Sequence, residues 1–423
     1  MAVKSLFAAE QTPSTAPVAV AVTSFNSATN IITSSASAAP AVGTAVAFTN
    51  AGGALPSGLS TGKIYYVITS VGATFSVSTT VGGAVVALVS AGTGVSSYWA
   101  YSEMASDVFW VNHQTLKIDE GITLEDRDDE VDGTNDSRSS IPIQYDPAWE
   151  MKLRAYPNLF GLPLLAFFGS VTTTAGDGII TDPDGNTIPV GAYKHVFSYK
   201  TGIDARTLAY QGADQHGNFW HATGMGIKEI KLAGNKGALD ADVKGSALFV
   251  ESFGDPGAAA FPADTLAPWS FGELALTWLG SSEIVEQFDL TFAQDAKTIH
   301  APTQATKFPT YYELDKSVGR KLTGNCNKRD FSLTDWNALT AGTYFQATAK
   351  YKTAQVIGAT TYPYSMWVDM PSCQYQKGTA DDIQKSPRRA YKLTWKAAYN
   401  VSSGYAYKVT LVNGASGYMT GIT

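Results

Sequence analysis

Alternating hydrophobic and polar positions run along most of the chain, and this pattern predicts a mainly β protein. Short segments rich in β-branched and aromatic residues recur, with Gly, Pro, Asn and Ser between them. The predicted strands lie at 45–49, 64–70, 74–78, 84–89, 107–111, 114–118, 149–155, 194–199, 226–232, 246–252, 286–292, 345–351, 364–368 and 391–399. The expected fold class is therefore all-β, with few short helices.

Two segments break the strand pattern and predict helices. Ser332 and Asp335 have the spacing of a capping box, and Gly342 is placed to end a helix of about two turns. The segment 158–168 is strongly apolar and contains Pro163. Because proline is tolerated only in the first turn, this helix is expected to begin near Gly161.

Charge is distributed very unevenly between the first hundred residues and the rest. Residues 1–102 of the 423 contain only Lys4, Glu10 and Lys63, whereas the remainder contains 28 basic and 36 acidic side chains. The stretch 17–102 combines β-branched segments with uncharged Gly, Ser and Thr turns, which is typical of a small antiparallel β domain. We therefore expect an N-terminal arm at 1–16 and a small β accessory domain at 17–102.

The charged part of the chain contains one order of elements twice. The strand WEMKLRAYP and the helix near Gly161 match GRKLTGNCNKRD and the helix after Ser332. Downstream, NFWHATGMGIKEIKLAG and DADVKGSALFVES match YSMWVDMPSCQYQKG and SPRRAYKLTWKA. This alignment places Trp220 opposite Trp367 and Met225 opposite Met370. It divides the chain into two β domains, at 103–269 and 270–423.

Two groups of segments resemble bacteriophage virion proteins. GTAVAFTNAGGALPSGLSTGKIYYVITSVGATFSVSTT and GGAVVALVSAGTG resemble small β domains that are appended to phage structural proteins. AYPNLFGLPLLAFFGSVTTTAGDG and GAYKHVFSYKTGIDARTLAYQ resemble the tail tube (major tail) proteins of long-tailed phages of the siphovirus type. GMGIKEIKLAG and DVKGSALFVE look like paired strands of the same family.

The resemblance implies a tail-tube-type β-sandwich or barrel and a structural role. Proteins of this family form rings that stack into a hollow conduit for the genome. The partners implied are further copies of the chain, the tape measure and other tail proteins, in a virion made in the host cytoplasm. The family usually places one fold in each chain and six chains in a ring. A chain with two tandem copies would need only three.

The net charge bears on how such a conduit would meet DNA. Residues 103–423 carry a net charge of about −8, from 28 basic and 36 acidic side chains. Because duplex DNA is densely anionic, an acidic or neutral lumen would let it pass without specific binding. We therefore expect an acidic or neutral lining and no binding of a particular sequence.

Two charged clusters are candidate contact sites. Clustered carboxylates suit a divalent cation, although EF-hand spacing is missing; the alternatives are an inter-ring or lumen loop and a solvated loop. The acidic residues are Glu125, Asp126, Asp128, Asp129, Glu130, Asp132 and Asp136. The basic cluster Lys385, Arg388 and Arg389 is a candidate interface turn, a DNA contact or an exposed hairpin turn.

No motif points to catalysis, a cofactor or a metal. His216 and His221 would lie on opposite faces of a strand, so no metal site is expected from them. Cys326 and Cys373 lack zinc-site spacing and are expected to be free thiols. The segment 182–186 (DPDGN) predicts a turn. No signal peptide or membrane-spanning segment is expected, so the protein is interpreted as soluble. Because no catalytic motif stands out, it is also expected not to be an enzyme.

Two other functions remain open on the sequence alone. The first alternative is a phage tail fibre or baseplate protein that binds a host surface. The second is a β-rich enzyme that degrades polysaccharide, for which no specific carboxylate pair stands out. Electron microscopy distinguishes these alternatives, because only a tube subunit polymerises into uniform hollow tubes or rings.

Overall fold

The computed structural model confirms the mainly β fold, with two short α-helices in the part of the chain that it describes. The described residues are 5–10, 19–61, 63–79, 82–101, 109–111, 113–125, 140–199, 206–213, 219–234, 237–253, 266–301, 307–314, 319–329, 332–380 and 391–418.

Twenty-eight strands and the two helices follow one another in chain order. The first part contains β1 (Ser5–Glu10), β2 (Val20–Asn26), β3 (Ile31–Ser34), β4 (Ala45–Ala51), β5 (Ile64–Val71), β6 (Thr74–Ser78), β7 (Val95–Tyr101), β8 (Phe109–Trp110), β9 (His113–Asp119), β10 (Ile122–Glu125), β11 (Ile141–Tyr145) and β12 (Ala148–Arg154). The middle part contains α1 (Gly161–Phe168), β13 (Val171–Ala175), β14 (Tyr193–Phe197), β15 (Thr207–Ala213), β16 (Phe219–Gly234), β17 (Asp240–Ser246) and β18 (Phe249–Phe253). The last part contains β19 (Leu274–Trp278), β20 (Ser281–Glu283), β21 (Val285–Ala293), β22 (Ala296–Ile299), β23 (Tyr311–Leu314), β24 (Lys321–Lys328), α2 (Leu333–Ala341), β25 (Phe345–Val356), β26 (Pro363–Ala380), β27 (Tyr391–Ala397) and β28 (Lys408–Asn413).

Strands β2–β7 form a closed six-stranded barrel in the order β2-β3-β6-β5-β4-β7. Its core is built around the rings of Phe48, Tyr65, Phe75 and Tyr98. The strand predicted at 84–89 is wrong: only a single bridge forms there. The segment instead places the buried side chain of Leu88 in the barrel core, so its apolar residues fill the interior rather than form a strand.

The rest of the chain repeats one plan of strand pairing. We call β1, β8–β12, α1 and β15–β18 the first unit, and β19–β28 with α2 the second unit. In each unit the first strand pairs with a short second strand and with a later strand that lies after the helix: β1 with β8 and β15, and β19 with β20 and β25. In the first unit β13 and β14 lie between the helix and β15. The strand before the helix is β12 in the first unit, where it lies between β9 and β17, and β24 in the second unit, where it lies between β21 and β27. A hairpin precedes each of these strands, β10–β11 before β12 and β22–β23 before β24.

Irregularities in the ladders recur at the same places in the two units. The register shifts by one residue at Gln114 of β9 and at Glu286 of β21. Aligning the units by these shifts and by strand pairing corrects the residue matches proposed from sequence. Phe219 corresponds to Trp367, and Met225 corresponds to Cys373. The sequence alignment was wrong by one residue at the tryptophan and by three at the methionine, because it matched identical residue types that do not occupy equivalent positions in the two strands.

The barrel occupies a position that is a two-residue turn in the second unit. Leu279 and Gly280, both with positive φ, join β19 to β20 as a tight hairpin turn. In the first unit, β1 and β8 pair in the same way, with Leu6 opposite Trp110, but the barrel lies between them in the chain. The barrel is therefore an insertion at a hairpin tip, where added domains are tolerated.

Both helices begin and end as the sequence predicts, but their surroundings differ. Helix α1 starts at Gly161, ends at Gly169 in the left-handed conformation, and is buried along its whole length. Helix α2 has the predicted capping box of Ser332 and Asp335 and ends at Gly342. Most of α2 is exposed, which shows that only α1 is enclosed by the rest of the chain.

A tryptophan–glycine pair is exchanged between the two units. In the first unit Trp149 of β12 lies opposite Gly245 of β17. In the second unit the corresponding residues are Gly324 of β24 and Trp395 of β27. A Cβ atom at Gly324 would overlap the indole ring of Trp395. Each unit therefore has room for one large ring between these strands, and the two units supply it from opposite strands.

Candidate assembly surface

The two units share a row of eight antiparallel strands within the large sheet, which we call the long sheet. Its order is β9-β12-β17-β16-β21-β24-β27-β26, four strands from each unit. The units join in its middle, where residues 229–234 of β16 pair with 293–288 of β21. One continuous sheet thus crosses from the first unit to the second.

The two ends of the long sheet correspond to the two strands that are joined in its middle. The last strand, β26, is the counterpart of β16, and the first strand, β9, is the counterpart of β21. Within the described residues, β9 pairs on one side only, with β12. The 374–380 half of β26 likewise pairs only with β27. The sheet therefore presents two complementary open edges, of the kind that pair with other chains unless they are guarded.

One face of the long sheet is polar and the other packs into the core. In β12, for example, Trp149, Met151 and Leu153 are buried and the residues between them face outward. The described outward residues that are not buried include nine basic and five acidic side chains. These are Lys117, Lys152, Arg154, Lys231, Lys244, Lys321, Lys377, Lys392 and Lys396, with Asp119, Glu150, Glu229, Asp240 and Asp242. Cross-strand ion pairs join some of them, with Lys244 Nζ 3.2 Å from Glu150 Oε1 and Lys152 Nζ 3.6 Å from Asp240 Oδ2.

Helix α1 packs against β1 and β16 of its own unit and against β14, and the second unit covers its C-terminal end. Phe167 and Phe168 contact Phe292 of β21, with ring centroids 6.0 and 6.2 Å apart. Arg320 donates from Nη1 to the Phe168 carbonyl oxygen at 2.9 Å. In the second unit most of α2 is exposed, and its Trp336 is 51% exposed. The helix is therefore covered at the junction inside the chain and exposed at its far end.

The acidic run begins at Glu125, the last residue of β10, in a hairpin with exposed aliphatic side chains. We call β10–β11 the first hairpin and β22–β23 the second hairpin. Glu125 ends β10 and is exposed; Asp126, Asp128, Asp129, Glu130, Asp132 and Asp136 lie outside the described residues. The first hairpin exposes four aliphatic side chains, each by at least 41% of its area: Ile122, Leu124, Ile141 and Ile143.

The other predicted site residues are only partly placed by the structure. Lys385, Arg388 and Arg389 lie outside the described residues, as does His216. His221 is buried, with Nδ1 3.3 Å from Glu251 Oε1. The corresponding pair in the second unit is Asp369 and Lys408, at 3.5 Å. The two units thus place a base and an acid at the same pair of positions, with the signs exchanged.

A buried charged cluster fixes α2 to the sheet of the second unit. Lys328 Nζ lies 2.6 Å from Asp335 Oδ2 and 2.8 Å from Glu283 Oε1. The Tyr375 hydroxyl donates to Asp335 Oδ1 at 2.9 Å. Burial by itself would raise the pKa of Asp335, but hydrogen bonds from Lys328, Ser332 and Tyr375 together hold that pKa below its usual value. Every group in the cluster is satisfied, so it has a structural role.

A cleft between the two units contains Arg320, Tyr199 and Tyr407. The guanidinium of Arg320 lies 4.3 Å from the Tyr199 ring centroid, and its Nε donates to Gln294 Oε1 at 2.7 Å. Its contacts are therefore made with the protein itself, and it joins the units rather than offering a ligand site.

The structure also places the two cysteines and the turn that the sequence predicts. Cys326 and Cys373 are buried free thiols, as predicted. The 182–186 turn is confirmed, and its Asp182 carboxylate accepts backbone hydrogen bonds from Asp184 and Asn186. Within the described residues no cluster of three His, Cys, Asp or Glu side chains is placed to hold a metal, and no helix is long and apolar enough to cross a membrane.

No family model matches the chain, and no curated protein is similar to it.

Proposed function

We propose that this protein is a structural subunit of a phage tail tube, and that its chains close into rings that stack into a hollow conduit. The observation that carries the proposal is the long sheet, whose two open edges are the counterparts of the strands joined in its middle. A contact between unlike edges is heterologous, and when its rotation closes, it generates a ring.

The internal junction supplies the geometry for the contact between chains. Repeating it would place residues 377–380 of β26 beside 121–118 of β9 in the next chain, with the same antiparallel register as β16 and β21. The exposed face of α2 would be covered as α1 is covered now. With two units in each chain, three chains make a ring of six units.

The polar face of the long sheet is the surface that would line the conduit. Its described residues include more basic than acidic side chains, so the proposed lining is of mixed charge rather than acidic. Cross-strand ion pairs occupy part of the basic groups, and side chains engaged in this way have less charge to offer to phosphates. The proposal that duplex DNA passes without specific binding rests on this mixture of basic and acidic side chains. It assigns no strand or helix to contact with base edges, which are what a sequence-specific protein reads.

The inserted barrel would lie on the outside of the ring. Its connection to the first unit is at a hairpin tip, and its surface contains almost no charge. In this arrangement the barrel decorates the tube and takes no part in closing the wall.

Microscopy combined with mass measurement tests the proposal. We expect the purified protein to form hollow rings or tubes in negative stain, and the smallest closed species to contain three chains of 44.9 kDa. Isolated compact trimers without a lumen would favour the fibre or baseplate alternative. A chain that remains monomeric as its concentration rises would contradict both.

A further inference from the structure

The second hairpin shows how a hairpin of one unit lies on its neighbour. Tyr312 of β23 covers Gly226 of β16 so closely that a Cβ atom there would overlap its ring. Tyr312 and Ala296 form a buried cluster with Leu248, which lies in the connection between β17 and β18. The contact joins the second unit to the first, and it requires glycine at position 226.

The loop of the second hairpin extends this contact. Phe308 stacks on Tyr145 at 4.6 Å between ring centroids and meets Phe249 edge-on at 4.9 Å. His300 Nε2 lies 2.8 Å from Asp146 Oδ1. The second hairpin is therefore held along its length by the first unit.

The first hairpin has the same place in its unit, but inside the chain it meets the second unit at Pro142 and Tyr145 of β11, through Lys307 and Phe308, and its aliphatic side chains remain exposed. Counting residues from the pair at the base of each hairpin, Ile122 corresponds to Ala296 and Ile143 to Tyr312, although Ile143 is bulged and Pro142 is the residue that pairs with Leu124 as Tyr312 pairs with Thr298. Ile122 and Ile143 are 46% and 45% exposed, whereas Ala296 and Tyr312 are buried. Burying both isoleucines would contribute roughly 25 cal/mol for each Å² of apolar area covered.

The surface that would receive the first hairpin is exposed at the other end of the chain. Gln374 of β26 corresponds to Gly226, as the strand pairing shows. The connection between β27 and β28 corresponds to the one that contains Leu248, and it exposes Tyr399 by 65% and Val401 by 86%. In the internal contact the large side chain of Tyr312 covers Gly226, which has no side chain. In the proposed contact between chains the smaller Ile143 would cover the larger Gln374.

We propose that the first hairpin docks on the second unit of the next copy of this chain, with Ile143 over Gln374 and beside the 398–407 connection. This inference rests on the proposed ring, and it assigns the exposed aliphatic residues at the base of the acidic run to a contact within the ring.

A photo-crosslinking experiment on the full chain tests this docking. Benzoylphenylalanine at position 143 is expected to join two chains on irradiation of assembled protein, with the product mapping to 371–378 or 398–407. The same group at Ile179, which is 80% exposed and lies outside the proposed contact, should give no product at those sites. Rings whose residue 143 crosslinks elsewhere, or only within its own chain, would overturn the docking and leave ring formation standing.

A charge substitution provides an independent measurement. Ile143→Asp should raise the concentration needed for assembly at least tenfold, and Ile179→Asp should leave it unchanged. Because Ile143 is exposed in the single chain, the circular dichroism and melting temperature of the unassembled variant should match the parent protein. Unaltered assembly of Ile143→Asp would overturn the docking. A parent chain that never assembles would overturn the proposed function as well.

Discussion

At the scale of single residues, the two units keep the same interior volume with different side chains. The exchanged pair of Trp149 with Gly245 and Gly324 with Trp395 is the clearest case. Cores tolerate substitutions that preserve total volume and shape better than those that add or remove it. Sequence comparison alone would not recognise these positions as equivalent, because a glycine is aligned with a tryptophan at each of them. The equivalence shows only in the summed volume of the two paired side chains.

The exchange predicts strong coupling between the two positions. Trp395→Gly should cost about 3–5 kcal/mol of unfolding free energy by leaving a cavity, and Gly324→Trp should destabilise by crowding. The double variant recreates the arrangement of the first unit and should be at least about 2 kcal/mol more stable than the sum of the single effects. Chemical denaturation of the four proteins measures this difference, and strict additivity would contradict the exchange.

The buried carboxylate of Asp335 should make stability depend on acid. Because its pKa is lowered in the folded protein, its contribution is complete above the unfolded-state pKa of about 4 and is lost as pH falls through the folded-state value. Asp335→Asn should cost about 3 kcal/mol at neutral pH, because Lys328 stays buried and, among the described residues, Glu283 is the acidic partner left to it. The variant should also lose less stability than the parent between pH 5 and 2.

A cap substitution serves as the control for this prediction. Ser332→Ala removes the N-cap of α2 and should cost about 1 kcal/mol while keeping most of the acid dependence. Urea unfolding at several pH values measures both variants. An acid dependence in Asp335→Asn as steep as that of the parent would contradict the assignment.

At the scale of elements, the sequence predicted those strands and helices whose signals are local. Helix α2 was found from its capping box, and α1 from the position of Pro163. Strand β1 was missed because SLFAAE has little β propensity and is a strand only through pairing with β15, some 200 residues away. The strands of the second hairpin were missed because each has only four residues.

The candidate site was less accessible to sequence reasoning for a related reason. The acidic and basic clusters were visible as composition, but most of their residues lie outside the described structure and their roles remain predictions. The open edges and the exposed aliphatic face of the first hairpin are properties of pairing between distant segments. They become recognisable only when the internal junction can be compared with the chain's two ends.

The barrel should be dispensable for folding of the two units. Deleting 17–102 joins the segments that precede and follow the insertion, and the second unit shows that a two-residue turn suffices at this place. We expect the shortened chain to assemble into rings of unchanged lumen diameter and reduced outer diameter, as measured by electron microscopy. Loss of all assembly would contradict an exterior barrel.

At the scale of the whole molecule, the two units are equal in plan and unequal in environment. The same elements are covered in the middle of the chain and open at its ends: the sheet edges, the helix and the hairpin. An isolated chain therefore exposes at its ends the surfaces whose counterparts are covered at the junction between its two units. This is the physical basis of the proposed ring.

The hairpin insertion has a consequence for the symmetry of any such assembly. The wall would repeat every 60°, since both units share one backbone plan, but a barrel would occur only every 120°. An image reconstruction averaged with sixfold symmetry would therefore show the barrel at half density beside a wall at full density. Averaging with threefold symmetry would restore three full barrels and leave the three intervening positions empty.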